Sequence, residues 1–308
     1  MSVDLSGRVA IVTGAGGGLG REHALLLARL GAKVMVNDLG SRSGTGGVAT
    51  AAQHVVDEIV AAGGEALANG ASVTDFEQVR EMVAAAVARW GRVDILVNNA
   101  GILRDKTFAK IDLADFRLVI EVHLMGAVNC TKAVWDIMRA QNYGRIVMTT
   151  SSSGLYGNFG QSNYSAAKMA LVGLMQTLAL EGAKNDIRVN CLAPTAATGM
   201  MEGLLTAEAV AILHPGAVSP AVAALVAEDA PTRMVMCAGG GSFEAAHLTL
   251  TRGVFLGRGD QVVGEIGRRI AEIADRNGDI VPGGAFTQSE VELRNAKEGT
   301  TTGTRDHA

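Results

Sequence analysis

Short β-branched runs alternate with longer amphipathic stretches from Arg8 onward, and that alternation limits the folds open to the chain. Strands are expected at 8–13 (RVAIVT), 33–37 (KVMVN), 65–69 (EALAN), 93–97 (VDILV), 145–150 (RIVMTT) and 187–192 (IRVNCL). Helices are expected between them, at 19–30, 48–62, 75–90, 113–140 and 162–184. The strand runs are nearly continuous in apolar residues, as strands covered on both faces are. Strands separated by helices join through right-handed crossovers. The expected fold class is therefore α/β, a doubly wound parallel sheet of Rossmann type with helices on both faces. Neither a linker nor a solenoid repeat interrupts the pattern before about residue 260. One catalytic domain is expected over 1–260, with a C-terminal extension over 261–308. Segment 262–275 could form a helix, and 287–308 reads as polar and mobile.

Composition supports a large core. Of 308 residues, 48 % are hydrophobic and 19 % charged, which excludes a disordered chain. The net charge of −4, with no basic block, argues against nucleic acid as a partner. Cys130, Cys191 and Cys237 are odd in number, far apart and in no metal spacing. A reducing compartment without disulfides or a metal is expected. The N-terminus has no basic and apolar leader, and no apolar run reaches the roughly 18–20 residues of a membrane span. A cytoplasmic location is the expectation.

The stretch 13–20, T-G-A-G-G-G-L-G, joins the first strand to the first helix. Its glycines let the backbone take φ > 0 and let a pyrophosphate approach. A helix beginning near Gly18 turns free N–H groups and a positive dipole end toward such an anion. The spacing is G14-x-x-x-G18-x-G20, not G-x-G-x-x-G, so a tight turn without a ligand is the alternative. Asp38 closes the second strand about 20 residues on, where a carboxylate takes the adenosine ribose hydroxyls. An ionised Asp38 repels a 2′-phosphate; two unit charges about 4 Å apart at an effective ε of about 20 repel by roughly 4 kcal/mol. NAD rather than NADP is the expected cofactor. Arg42, in the glycine-rich loop 40–47, could swing in and weaken that preference. A solvated carboxylate is the plainer reading of Asp38.

In order along the chain, T13-G-A-G-G-G-L-G20, N98-N-A-G101, Ser151 and Y164-S-A-A-K168 resemble the short-chain dehydrogenase/reductase family. That family's glycine motif is T-G-x-x-x-G-x-G, and the resemblance covers about residues 5–255. The runs V36-N-D-L-G40, N98–T107 (NNAGILRDKT), V122-H-L124, Y143–T150 and G154–K168 are similar to one branch of it, the (3R)-hydroxyacyl-CoA dehydrogenase domains of peroxisomal multifunctional enzymes. Hydratase and sterol-carrier domains have no room here, so a free-standing relative is expected.

The resemblance implies catalytic roles for Ser151, Tyr164 and Lys168. Tyr164 and Lys168 are i and i+4 on a predicted helix and share a face. A free phenol titrates near pH 10 and is a poor base at neutrality. A nearby ammonium and the positive nicotinamide ring are expected to lower that value, so that Tyr164 takes the substrate proton as hydride leaves. Lys168 would also hold the nicotinamide ribose, and Ser151 the substrate oxygen. Without the family, Y-x-x-x-K reads as an amphipathic pair with a snorkelling lysine. The cofactor set implied is Gly14, Gly18, Leu19, Gly20, Asp38, Ser72, Val73, Asn99, Ala100, Gly101, Tyr164, Lys168, Pro194 and Thr198.

The chain departs from the family at three places. His123 stands where Asn is usual, and it could hold a water through its backbone carbonyl or join a proton relay near neutrality. A buried, satisfied ring is the alternative. Ala71 stands where many relatives carry an acid against adenine, which leaves backbone groups around Ser72 and Val73 as the clamp. On that alignment, Ala71→Asp tightens NAD binding. Thr195 follows Pro194 where Gly is common, and Thr198 matches a position against the nicotinamide carboxamide or pyrophosphate.

Substrate walls are expected from 102–108, 155–161 and 199–215. The last holds Met200, Met201, Leu204 and Leu205, suited to an acyl chain or sterol face, or to plain helix packing. Arg104, Lys106 and Lys110 are rim cations that could meet CoA phosphates. The expected function is NAD-dependent oxidation of a (3R)-3-hydroxyacyl-CoA in fatty-acid or sterol side-chain breakdown. Oxidation of a 17β-hydroxysteroid follows closely. A 3-oxoacyl-[acyl-carrier-protein] reductase is opposed by Asp38, since that activity uses NADPH. A non-catalytic nucleotide sensor is opposed by the intact Ser151, Tyr164 and Lys168, and a bare scaffold leaves the glycine turn unexplained. A homodimer or homotetramer is expected through helices 113–140 and 162–184, the second apolar on more than one face.

Overall fold

The computed structural model describes residues 3–40, 50–197 and 206–303. The first compact unit ends at Ala246 and is built on one sheet. Its strands are β1 (Val9–Thr13), β2 (Lys33–Asn37), β3 (Ala66–Asn69), β4 (Ile95–Asn98), β5 (Gly144–Thr149), β6 (Ile187–Thr195), β7 (Val235–Gly239) and β8 (Ser242–Ala246). They lie in the order β3-β2-β1-β4-β5-β6-β7-β8, parallel throughout except for the antiparallel β8. The order reverses between β1 and β4, where Ile11 pairs with both Met35 and Leu96. In open α/β sheets the crevice at such a reversal, outside the carboxyl ends of the strands, is where ligands bind.

The helices are α1 (Gly18–Arg29), α2 (Thr50–Ala61), α3 (Phe76–Trp90), α4 (Leu113–Ile120), α5 (Gly126–Gln141), α6 (Ser152–Tyr156), α7 (Ser162–Gly182), α8 (Ala207–Ile212) and α9 (Ser219–Val226). Side chains alternate across the pleat, so each strand feeds two cores. Ala10, Val12, Val34 and Val36 face a core with Leu27 of α1, Ile59 of α2 and Val222 of α9. Ile11, Met35 and Leu96 face the other, with Met82 of α3, Val134 of α5 and Leu171 of α7. Both faces are covered, which is why the strand runs carry almost no polar residues.

Several boundaries differ from expectation. The single helix expected over 113–140 is α4 and α5 joined by a π-helical turn, Glu121–Met125. Strands β7 and β8 were not foreseen; four of the five β8 residues are exposed, so no apolar run marks it. The second compact unit begins at His247, not near residue 260. It holds α10 (Val262–Arg268), α11 (Ile270–Ile273) and α12 (Phe286–Gly303). A bridge between Leu250 and Ile280 closes its loop, and Asn295 Nδ2 donates to Arg252 O at 2.8 Å. The polar segment expected to be mobile is therefore helical as far as Gly303. Phe255 lies so close to Gly299 that a Cβ there would sit 2.1 Å from the ring.

Candidate active site

The glycine turn follows from β1. Gly14 and Gly18 have φ of 63° and 51°, in the left-handed region that a side chain disfavours. A Cβ on Gly14 would lie 2.8 Å from Ala100 Cα, and one on Gly20 only 2.2 Å from Gly14 O. These contacts let α1 start tight against the strand end. Its N-cap Gly17 offers no side-chain oxygen, so the first-turn N–H groups stay available to an anion. Asp38, just past β2, accepts from Gly16 N and from Gly40 N, each at 2.8 Å. Its carboxylate is thereby fixed at the lip of the turn.

The N98-N-A-G101 turn braces the same place. Asn99 Nδ2 donates to Thr13 O at 2.9 Å and to Gly14 O at 3.1 Å. The Asn99 and Ala100 amides donate to Thr13 Oγ1, both at 3.1 Å. The carboxyl ends of β1 and β4 are thus tied together at the reversal point of the sheet.

A cleft of about 410 Å³ opens there. It is lined by Gly14, Gly18, Leu19, Gly20, Asp38, Asn99, Ala100, Gly101, His123, Tyr164, Lys168 and Pro194, all expected, and by Gly17 and Thr149, which were not. Ser72 and Val73 do not line it. Ser72 N already donates to Gln78 Oε1 at 3.0 Å, and Val73 is buried with its carbonyl bound by Asn129 Nδ2 at 2.9 Å. Ala71 is buried in the core, with its carbonyl taken by Asn37 Nδ2, so an acid at 71 would point into packed apolar groups. Thr198, Arg42, Met200, Met201, Leu204 and Leu205 lie outside the described residues.

At the far end of the cleft, α7 presents Tyr164 and Lys168. Lys168 is 3 % exposed, its Nζ donates to Thr149 O at 2.5 Å and lies 5.4 Å from the centroid of the Tyr164 ring. Burial pulls its pKa down to about 7. Ser151 follows β5 and caps α6, its Oγ accepting from Ser153 N at 3.2 Å, and its hydroxyl acts to lower the pKa of the Tyr164 phenol. Burial holds that phenol above its ordinary pKa, the Ser151 hydroxyl works the other way, and the Asp105 carboxylate adds to the rise. The direction is opposite to the one expected from a neighbouring ammonium.

His123 comes from the π-turn. Its ring meets Tyr164 edge-on, with centroids 5.2 Å apart. Nε2 lies 3.0 Å from Ile102 N and 2.8 Å from Ile102 O. Burial, then repulsion by Lys168, pushes its pKa down to about 3. The ring is neutral at physiological pH, so a relay through an imidazolium near neutrality does not fit. His123, Asn98, Thr13 and Lys168 also line a small space of about 10 Å³, near the size of one water. Asn98 Oδ1 and His123 Nδ1 are buried without a protein partner, which suits such a water.

The arrangement has two halves. One is a backbone cradle with a fixed carboxylate, in which a Cβ on Gly14 or Gly20 would strike backbone atoms of the turn or of Ala100; it suits the pyrophosphate and ribose of a dinucleotide. The other is a phenol, a hydroxyl and an ammonium placed to handle a proton. Asn163 was missed by sequence reasoning. It is fully buried, and its partner at Arg104 is 59 positions away in the chain, which no local pattern reveals. Among the described residues, no cluster of His, Cys, Asp or Glu could hold a metal. No helix among them is long and apolar enough to cross a membrane.

Comparison with known proteins gives the family. The short chain dehydrogenase model matches residues 8–209. The peroxisomal multifunctional enzyme type 2 of Drosophila melanogaster is 55 % identical over 224 residues, 72 % of this chain and 37 % of that protein. The solved full-length structure of that Drosophila enzyme aligns with a TM-score of 0.81 at 38 % identity, over 96 % of this chain and 50 % of that one. A 7α-hydroxysteroid dehydrogenase, solved with NADH and 7-oxo glycochenodeoxycholic acid, aligns with a TM-score of 0.70 at 31 % identity, over 78 % of this chain and 95 % of that one. The chain thus spans little more than a third of its first curated relative. With its glycine turn, its sheet order and this family match, the chain belongs to the short-chain dehydrogenases.

Proposed function

We propose that the chain oxidises a secondary hydroxyl with NAD, converting a (3R)-3-hydroxyacyl-CoA to the 3-oxoacyl-CoA in fatty-acid or sterol side-chain β-oxidation. The observation that carries this is the meeting of Tyr164 and Lys168 in a cleft that Asp38 also lines, with the Ser151 hydroxyl acting on the phenol. The likeness to multifunctional enzyme type 2 supports the acyl-CoA substrate. The fixed Asp38 carboxylate supports NAD over NADP, and it also opposes an NADPH-linked 3-oxoacyl reductase. A steroid hydroxyl is the second reading, favoured by the likeness to the 7α-hydroxysteroid dehydrogenase.

NAD, when bound, supplies the hydride acceptor. The chain's own groups manage the rest. Gly14, Gly18, Leu19 and Gly20 hold the pyrophosphate, Asp38 the adenosine ribose, and Asn99, Ala100, Gly101 and Pro194 shape the floor. Ser151 orients the substrate oxygen, and Tyr164 takes its proton. Lys168 opposes the high phenol pKa when protonated, and its own value of about 7 lets it share that proton near neutrality. His123 packs against Tyr164 as a neutral ring and fixes its edge.

The three cysteines are free, and two are buried, which suits the reducing cytoplasm, although the named relative is peroxisomal. An apolar groove lined by Val128, Trp135, Leu174 and Leu178 lies between α5 and α7 and suits pairing as a homodimer or homotetramer.

The test is NADH formation from NAD with a (3R)-hydroxyacyl-CoA, beside its (3S) isomer and a 17β-hydroxysteroid. Turnover of the (3R) thioester alone supports the reading, and turnover of the steroid alone replaces it with the second. Tyr164→Phe should bind NAD normally yet lose at least about 10²-fold in turnover. Near-normal turnover removes Tyr164 from the chemistry.

A further inference from the structure

Two amide side chains at the start of α7 reach across to the loop after β4. Gln161, the N-cap, makes no side-chain cap bond. Its Nε2 donates instead to Asp105 Oδ2 at 2.6 Å, and Asn158 Nδ2 steadies the Gln161 oxygen at 2.9 Å. Asn163 supplies a cap from inside the first turn. Its Oδ1 accepts at 2.8 Å from Tyr164 N, one of the N–H groups that a helix start leaves without a partner. Its Nδ2 donates to Arg104 O at 3.0 Å. The side chain is fully buried, where an amide is tolerated only when hydrogen-bonded, and both of its ends are engaged. A third tie reaches the same segment from the π-turn. Gly101 lacks a Cβ, which would lie 2.3 Å from His123 Cε1, so the ring comes up to Ile102. There Nε2 lies 3.0 Å from the Ile102 nitrogen and 2.8 Å from its oxygen. Residues 102, 104 and 105 are each held by a different side chain, and two of the holders touch Tyr164: Asn163 at its backbone, His123 edge-on at its ring.

We propose that Asn163 is a positioning residue that sets the register of segment 102–105 against Tyr164, so that this wall of the substrate site and the phenol keep one geometry. This rests on the reading of Tyr164 as the proton-handling group and of 102–108 as a substrate wall. Asn163 is buried and acts through its neighbours. It joins backbone to backbone, since Arg104 O of the loop and Tyr164 N of the helix share its one amide group. That amide is planar and rigid, so it fixes the separation of the two groups it bonds. The Asp105 tie runs between two side chains, each free to rotate about its own χ angles. Without Asn163 the loop keeps the His123 tie at 102 and the looser one at 105, and the backbone between them can shift. A misplacement of about 1 Å between a substrate and its catalytic group costs on the order of 10²-fold in rate.

The experiment is Asn163→Ala in the full-length protein, read in three ways. Hydrogen exchange of the Ile102 amide, which the His123 ring protects, is followed by mass spectrometry in peptides covering 101–111. It should quicken by about tenfold or more. The kcat/KM with NAD and a (3R)-hydroxyacyl-CoA should fall by about tenfold or more. NAD affinity, by calorimetric titration, should stay at the parent's value, because the glycine turn and Asp38 hold the dinucleotide from β1 and β2. An asparagine that only supports the fold would loosen the whole unit: exchange in the turn 13–20 would rise with that at Ile102 and NAD would bind more weakly, and that result overturns the proposal. So does quicker exchange at Ile102 with kcat/KM unchanged. Asn163→Asp is the second variant, measured near about pH 8, where an ionised carboxylate still accepts from Tyr164 N but cannot donate to Arg104 O. A carboxylate is favourable at a helix start, so this variant keeps the cap and tests the loop tie even where Asn163→Ala does not fold. It should show the same quickened Ile102 exchange and the same fall in kcat/KM; parent-like values in Asn163→Asp overturn the proposal, since the cap alone would then suffice. If Tyr164→Phe turns over normally, the reading of Tyr164 fails while the exchange result stands; if Tyr164→Phe is inactive and both Asn163 variants match the parent, only the role of Asn163 fails.

Discussion

Single residues decide whether the cleft can exist. Gly20 is the strictest, because its missing Cβ would overlap a backbone carbonyl, Gly14 O, which cannot turn aside. Gly20→Ala must push α1 away from β1 and open the anion cradle. We expect it to cost about 1–3 kcal/mol in stability and to weaken NAD at least tenfold, measured by urea unfolding and by calorimetric titration. Gly17, in the same turn, has open space for a Cβ, so Gly17→Ala serves as the mild control. Ala71 shows how an alignment differs from a position. The sequence suggests an adenine contact there, yet the side chain is in the core, and Ala71→Asp would bury an unpaired carboxylate. We now expect that variant to lose stability, by about 2 kcal/mol or more, with no gain in NAD affinity; tighter NAD binding in a stably folded variant would restore the original alignment.

Elements were legible where burial is uniform or periodic, and obscure where it is neither. Strands β1, β2, β4, β5 and β6 are buried over nearly their whole length, so their apolar runs stand out. Strand β8 is nearly all exposed and shows no run, and α9 is apolar on most sides and shows no polar face. The π-turn has no compositional mark, because it differs from the flanking helices only in one extra residue per turn. That turn carries His123, which is why the residue was visible as a departure while its packing against Tyr164 was not. Arg145 is a further case. It reads as the single charge in the β5 run, yet it is fully buried at the start of that strand. It donates to the carbonyls of Gly144, Asp186, Ala227 and Glu228 and to the Asp186 carboxylate. It thus ties β5 to the turns before β6 and after α9. Arg145→Met fills similar volume but strands those acceptors, and we expect a loss of about 3 kcal/mol or more in urea unfolding, with the cleft residues unchanged.

For the whole molecule, buried titratable groups set a pH window of stability. His23, in α1, is fully buried against Ser219 Oγ at 2.8 Å, and burial pushes its pKa down to about 3. His123 is pushed down to about 3 as well. In the unfolded chain both titrate near 6.5. Below that value the unfolded state binds two protons that the native state refuses, so stability falls with pH between about 6.5 and 3, by roughly 1.4 kcal/mol per unit for each histidine. On the alkaline side, burial raises Cys130 and Cys191 to about 12 from their ordinary value of 9. Above pH 9 the unfolded chain sheds protons that the native state keeps, and stability falls again. Lys168 acts in the opposite sense. Its native value of about 7, against 10.5 unfolded, makes stability rise with pH between those limits and offsets one cysteine up to 10.5. Stability should therefore still rise between about pH 7 and 9 and peak near pH 9, with the steepest loss below about pH 6.5. Urea midpoints across pH 4 to 11 measure this, with refolding checked at each point. His23→Gln removes one of the two acid-side groups, so the variant should show about half the parent's slope between pH 6 and 5, whatever its stability at neutrality. An unchanged acid slope would mean that His23 is protonated in the native protein, and that the contact between α1 and the start of α9 opens to admit the charge.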